Sequence, residues 1–271
     1  MADFPLFGGT KKVQFGYDLT TGLGTAITSS ASVDTKGAFI ELASAAENDR
    51  DSFCIDVVIS KDGVASNVLV DIAIGEAGFE QVLIPNLYFL TINGVELEVF
   101  SFPISVPRGV RISARSQGSI SSAVPKVFVC LQSGGFTQGS ALSGIESAGD
   151  DVATTSGVTI TQGNQVYGAW VEMHANTTKE FKGFIVASHR NILASWSTGN
   201  VAWRVAIGSA GNEVVISDGN ATSNDASEKG ARFASAFNNV SIPIGSRVSI
   251  SASAPSSNGD FTNDYVLYGV Y

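Results

Sequence analysis

Val68-Leu-Val-Asp-Ile-Ala-Ile-Gly75, running on as Glu76-Ala-Gly-Phe-Glu-Gln-Val-Leu-Ile84, decides the fold. Val68, Val70, Ile72 and Ile74 alternate along one face of a strand, Gly75 to Gly78 turns the chain, and a second strand returns. The unit recurs as Val201-Ala-Trp-Arg-Val-Ala-Ile-Gly208 followed by Ser209-Ala-Gly-Asn-Glu-Val-Val-Ile216, with Ile207 standing 133 positions after Ile74. A chain that carries one hairpin twice is expected to carry one domain twice.

Motifs on either side keep the same order. Gly37-Ala-Phe-Ile-Glu-Leu42 pairs with Gly168-Ala-Trp-Val-Glu-Met173 at an offset of 131, and Phe53-Cys-Ile-Asp-Val-Val-Ile59 with the strand opening at Phe184. Ile104 to Ala114 pairs with Ile242 to Ala252 at an offset of 138, which sets Ile112 over Ile250. Val127-Phe-Val-Cys-Leu131 and Tyr265-Val-Leu-Tyr-Gly269 close the two copies. Asn93-Gly94 predicts a type I′ hairpin turn in the first copy, where the second has a polar loop from Asp218 to Lys229.

Each copy thus offers about eight short strands with turns at roughly 8–12-residue spacing and no helical period. Immunoglobulin spacing of Cys, Trp and Cys is missing, and eight strands in two sheets suit a jelly roll. The expected fold is all-β, two tandem jelly-roll-like β-sandwich domains related by internal duplication. The boundaries read as an N-terminal arm over 1–22, a first domain over 23–136, a Ser/Gly/Asp linker over 137–157 and a second domain over 158–271. In the arm, Phe4, Leu6, Phe7, Phe15 and Tyr17 are apolar while Pro5, Gly8, Gly9, Lys11 and Lys12 interrupt any long element. Such an arm either lies along its own domain or docks on a neighbour.

Composition narrows the function. Charged residues are 15% of 271, well below the usual quarter, and the net charge is −9. An acidic chain lacks the basic footprint that nucleic acid demands. Arg111 and Arg115 alternate with Val110, Ile112 and Ala114, as on the wet side of a half-buried strand. Met1 to Gly8 has neither a basic region nor an apolar core of a leader, and no window is apolar enough to span a bilayer. The expectation is a protein with no membrane partner and no cleaved leader.

Catalytic chemistry has little to stand on. His174 and His189 are the only histidines, and His174 shares a strand face with Glu172, pointing to solvent. No serine sits in a Gly-x-Ser-x-Gly elbow, and Gly8-Gly-Thr-Lys-Lys12 lacks the spacing of a phosphate loop. Neither an enzyme nor a cofactor is expected, although a pocket holding a histidine beside a carboxylate would reopen the question. Glu47, Asp49 and Asp51, the pair Asp150 and Asp151, and Asp260 with Asp264 read as solvated turn carboxylates rather than calcium ligands, because no ligand spacing is kept. Cys54 and Cys130 face Ile185 and Leu267 or Tyr268 in the sister copy, which favours small buried hydrophobes over a disulfide. Trp170 and Trp203 stand where the first copy has Phe39 and Val70, positions patterned as core; Trp196, in Ala194 to Gly199, is the plausible exposed platform for a sugar.

The string Val70-Asp-Ile-Ala-Ile-Gly-Glu-Ala-Gly-Phe-Glu-Gln-Val-Leu-Ile-Pro-Asn-Leu87, with Phe102-Pro-Ile-Ser-Val-Pro-Arg-Gly-Val-Arg-Ile-Ser-Ala-Arg115 downstream, resembles a repeat of tailed-bacteriophage virion structural proteins. The second copy keeps Gly208-Ser-Ala-Gly211 and Ile242-Pro-Ile-Gly-Ser-Arg247 but not the Pro-Asn-Leu ending. The resemblance implies a non-enzymatic virion component assembled in the host cytoplasm: a capsid decoration, cement or head-fibre protein that binds major capsid or tail proteins. The alternative is a carbohydrate- or receptor-binding module of a phage tail, since jelly rolls host lectins too. Closed homo-oligomers are the usual outcome for such chains, and a trimer of double domains offers a pseudo-six-fold ring.

Overall fold

The computed structural model describes residues 11–20, 23–60, 66–90, 97–133, 142–149, 152–155, 157–190, 199–223, 233–235, 237–254 and 262–271. These residues form strands and turns and separate into two compact units. Unit 1 runs to Ile145 and also takes Val152–Thr154, while unit 2 holds Glu146–Asp151 and Thr155–Gly269.

In unit 1 the strands are β1 (Lys11–Phe15), β2 (Tyr17–Asp18), β3 (Leu23–Ala26), β4 (Ile40–Ala43), β5 (Cys54–Ser60), β6 (Asn67–Ile74), β7 (Gln81–Leu90), β8 (Leu97–Phe102), β9 (Ile112–Gly118) and β10 (Lys126–Ser133). One sheet has the order β2-β3-β10-β5-β8 with β1 also on β10, and the other has the order β4-β9-β6-β7. Unit 2 contains β11 (Ile145–Ala148), β12 (Val158–Thr161), β13 (Gly163–Asn164), β14 (Val171–His174), β15 (Gly183–Arg190), β16 (Gly199–Ile207), β17 (Val214–Ser223), β18 (Phe233–Ala234), β19 (Val248–Ala254) and β20 (Thr262–Val270). Its sheets are β11-β20-β15-β18, with β12 also on β20, and β13-β19-β16-β17, with β14 also on β19. Both units therefore follow one plan: β10 lies between β3 and β5 as β20 lies between β11 and β15, and β9 lies between β4 and β6 as β19 lies between β14 and β16. That is jelly-roll order.

The cores are built from the alternation that the sequence displays. Val68, Val70 and Ile72 are fully buried on β6, as are Val205 and, nearly, Trp203 on β16, while Ile74 and Ile207 at the strand ends are half-buried. Trp203 fits because its ladder partner on β17 is Gly219, where a Cβ would stand 2.2 Å from the indole. Leu69 and Ala73, on the other face of β6, are buried as well, so this strand is covered on both sides. Gly75 and Gly208 close the strands with φ of 116° and 122°, a region that side chains avoid, and a Cβ on Gly208 would lie 2.5 Å from the Asn212 carbonyl.

Three sequence expectations are corrected and one left open is resolved. Ile112 is equivalent to Val248, not Ile250: Ile74 pairs with Ile112 and Ile207 with Val248, and Gly109 and Gly245 take matching positive φ. A slip of two residues keeps every side chain on its face, so alternation could not reveal it. Of the two courses open to the arm, Lys11–Phe15 takes the first: it runs antiparallel along β10 of its own unit, with Phe15 opposite Val129. Tyr17 packs edge-on against Phe128, with ring centroids 5.1 Å apart. Within the expected linker, Ile145–Ala148 is a strand with Ile145 and Ala148 buried. Asp218–Ser223, expected as loop, continues β17 along β16 out to Gly199. The Asn93-Gly94 turn lies outside the described residues.

Candidate functional site

At the hairpin end of unit 1, Gly75 donates its N–H to the Arg111 carbonyl, which fastens the β6–β7 turn to the start of β9. The Arg111 side chain then bridges two carboxylates, Nε to Glu41 at 2.6 Å and an amino group to Glu80 at 3.0 Å. The Glu80 carboxyl is held below its usual range, first by its own backbone N–H and then by Arg111 and the Gly78 N–H. Unit 2 repeats the arrangement: Gly208 N–H reaches the Arg247 carbonyl, and Arg247 joins Glu172 at 2.7 Å to Glu213 at 3.2 Å. Gly-x-Glu after the turn and Gly-x-Arg before the later strand are the sequence signal for this clamp, one that residue-type patterning passed over.

The clamped turns carry exposed apolar side chains. Phe79 on the unit 1 turn is 79% exposed, and Val82 follows it into β7. In unit 2, Ile244 is 67% and Val214 64% exposed, with Val215 beside them. A shallow depression of about 620 Å³ opens between the unit 2 turns, walled by Ala175, Ile207, Val214, Gly245, Ser246 and Arg247.

A second contrast between the units lies on the outer faces of β6 and β16, three residues before Ile74 and Ile207. Asp71 is nearly fully buried; its carboxylate takes Lys36 Nζ at 2.7 Å, Arg115 Nε at 2.8 Å and the Asn86 N–H at 2.9 Å. Arg115 also stacks 4.5 Å over Phe39. The unit 2 counterpart of Asp71 is Arg204, whose guanidinium lies 4.2 Å from the ring centre of Tyr167 and 4.4 Å from that of Trp170. Trp170 is accordingly half-buried on the outer face, not in the core; among the described residues Trp203 is the core tryptophan.

The remaining candidates are dispersed. Phe15 and Tyr17 belong to the first sheet, whereas Phe4, Leu6, Phe7 and Trp196 lie outside the described residues. His174 does not face solvent freely: its Nδ1 accepts the Asn176 N–H, so Nε2 carries the proton and donates to the Glu146 carboxylate. Thr178 Oγ1 takes the other oxygen of Glu146, and the unit 2 depression is walled by Ala175 rather than His174. His189 lies on β15, its side chain outside the described residues.

Cys54 and Cys130 are free thiols. Burial, then the charge of Asp56, pushes Cys54 up to about 11; burial raises Cys130 too. Glu47 caps the Ser44 turn and Asp51 accepts the Arg108 N–H. Asp264 is buried in β20 with Thr159 on its carboxylate, a correction to its reading as a solvated turn acid. Among the described residues, no three of His, Cys, Asp and Glu converge as a metal site would require, and no helix is long and apolar enough to cross a membrane.

Fold and sites together define a tandem β-sandwich protein whose turns are clamped by arginine–glutamate pairs. No family model matches the chain, and no curated protein does. Among solved structures it is similar to a viral major capsid protein, STIV MCP, at 11% identity over 97% of both chains with a TM-score of 0.42. PNGase F, a glycosylasparaginase from Flavobacterium meningosepticum, matches at 10% identity over 96% of both chains with a TM-score of 0.39. The CBM22-1–CBM22-2 tandem of Paenibacillus barcinonensis Xyn10C matches at 9% identity over 97% of this chain and 91% of that one, with a TM-score of 0.29. Likenesses at these scores assign no function.

Proposed function

We propose that this chain is a non-enzymatic structural component of a phage virion, a decoration, cement or head-fibre subunit that docks on major capsid or tail proteins. The observation that carries the reading is the pair of clamped turns: Arg111 and Arg247 hold backbone rigid beneath exposed Phe79, Val214 and Ile244. Large apolar side chains displayed on rigid turns lose little conformational freedom on docking, and their burial contributes about 25 cal/mol per Å². Two such ends per chain suit a subunit with several neighbours, and a closed trimer with virion localisation belongs to the same proposal. Because residues 11–15 are spent on β10, the docking role of the arm contracts to Phe4, Leu6 and Phe7. The test replaces Phe79, Val214 and Ile244 together by serine and counts copies on purified particles by electron microscopy. A folded triple variant that incorporates at the wild-type copy number would falsify the docking assignment.

A further inference from the structure

We infer that the outer face of the β13-β19-β16-β17 sheet in unit 2, on which β14 also pairs with β19, binds an acidic saccharide, with Arg204 as the receptor for its carboxylate. The argument begins from the contrast with unit 1. There the charged position, Asp71, is neutralised on the spot by Lys36 and Arg115. In unit 2 the sign is reversed and the compensation is gone: among the described residues no carboxylate pairs with Arg204, and its Nε is buried without an acceptor. Unit 1 also stacks a cation on this face, Arg115 over Phe39, but pairs it with Asp71, so the jelly roll does not require an unpaired one.

What surrounds Arg204 has the chemistry of a sugar site. Tyr167 and Trp170 hold the guanidinium by its faces, which strips water from them and fixes the plane of the hydrogen-bonding fork. A planar fork of fixed orientation matches a carboxylate through two parallel bonds. On the neighbouring strand, Asp218 stands opposite Arg204 and Asn220 opposite Ala202, both exposed. Those side chains can take sugar hydroxyls, and the small Ala202 leaves room between them and the aromatic pair. Among the described residues two acids share the face: Glu172 is occupied by Arg247, while Asp218 lies on the strand away from the aromatic pair toward which the guanidinium leans. Screening weakens its repulsion of a bound anion at physiological salt. This site is separate from the clamped turns and stands whether or not they dock.

The experiment titrates the full-length protein with 3′-sialyllactose and a glucuronic-acid disaccharide, against lactose and sodium acetate as the neutral and bare-carboxylate arms, reading tryptophan emission and heat. At least one acidic saccharide is expected to bind, with lactose and acetate ten-fold weaker or worse. Arg204→Lys keeps the charge but not the fork, and affinity should fall roughly 10- to 100-fold, the worth of a charged hydrogen-bond pair; Trp170→Ala should weaken it as well. Each variant's unfolding transition is recorded, and Asp218→Asn, which leaves the stack untouched, serves as a second, conservative probe of the hydroxyl contacts. Absence of binding by both acidic probes up to roughly 10 mM, a Kd weaker than any useful recognition, overturns the assignment. So does equal binding of lactose or acetate, or undiminished binding by Arg204→Lys.

Discussion

Replacing Asp71 by Asn removes a charge and almost nothing else. The amide oxygen can still accept the Asn86 N–H, and the volume is kept, so the loss isolates the ion-pair network of unit 1. Asp71 has 4% of its side chain exposed and Lys36 19%, so the variant strands a largely buried ammonium beside Arg115. Breaking one side of such a pair costs about 3–5 kcal/mol. Arg115 is freer and can turn over Phe39 toward water, which favours the lower end, about 3 kcal/mol or roughly a hundredfold in the folding constant.

The pH dependence has a definite sign. Burial already lowers the Lys36 pKa, with Asp71 opposing and Arg115 adding to the fall, so losing Asp71 lowers it further. Between that value and the unfolded lysine at about 10.4 the unfolded chain binds more protons, and stability rises with pH. In the variant this rise begins at lower pH than in the wild type. The deficit is therefore largest near neutrality and narrows as Lys36 loses its proton. Urea unfolding followed by circular dichroism at neutral and alkaline pH measures it. All three tryptophans, at 170, 196 and 203, fall after residue 157, so their emission gives a separate reading of the second half of the chain. A deficit under about 1 kcal/mol, or one that does not change with pH, would refute the electrostatic account and leave only disturbed packing.

Two further outcomes are expected. Ile72→Ala removes a fully buried side chain from the centre of β6 and should cost about 2–4 kcal/mol by urea titration; a cost within roughly 0.5 kcal/mol would mean the core can do without it. Cys54 and Cys130, both held as protonated thiols by burial, should react slowly with iodoacetamide at mildly alkaline pH and add two labels only in denaturant, whereas rapid labelling of the native protein would contradict their setting.

Much of the architecture was legible in residues 68–84 and their partner at 201–216, because a strand with one buried face must alternate and a tight turn must find a residue that tolerates positive φ. Those are local requirements, and they placed the hairpins, the strand class and Val70, Ile72 and Val205 in the core. Three matters were settled only in three dimensions. The equivalence of Ile112 with Val248 rests on Arg111 and Arg247 reaching their glutamates, since shifts of two residues look alike to a period of two. The strand at Lys11–Phe15 exists because β10 offers it an edge 114 or more residues away. The fate of Trp170 and Arg204 was decided the same way: spacing assigned Trp170 to the core by analogy with Phe39, but the exchange of Asp71 for Arg204 on β16, across β19 from the indole, set a guanidinium beside it. Periodicity states which face a residue takes, and only the folded sheet states what it finds there.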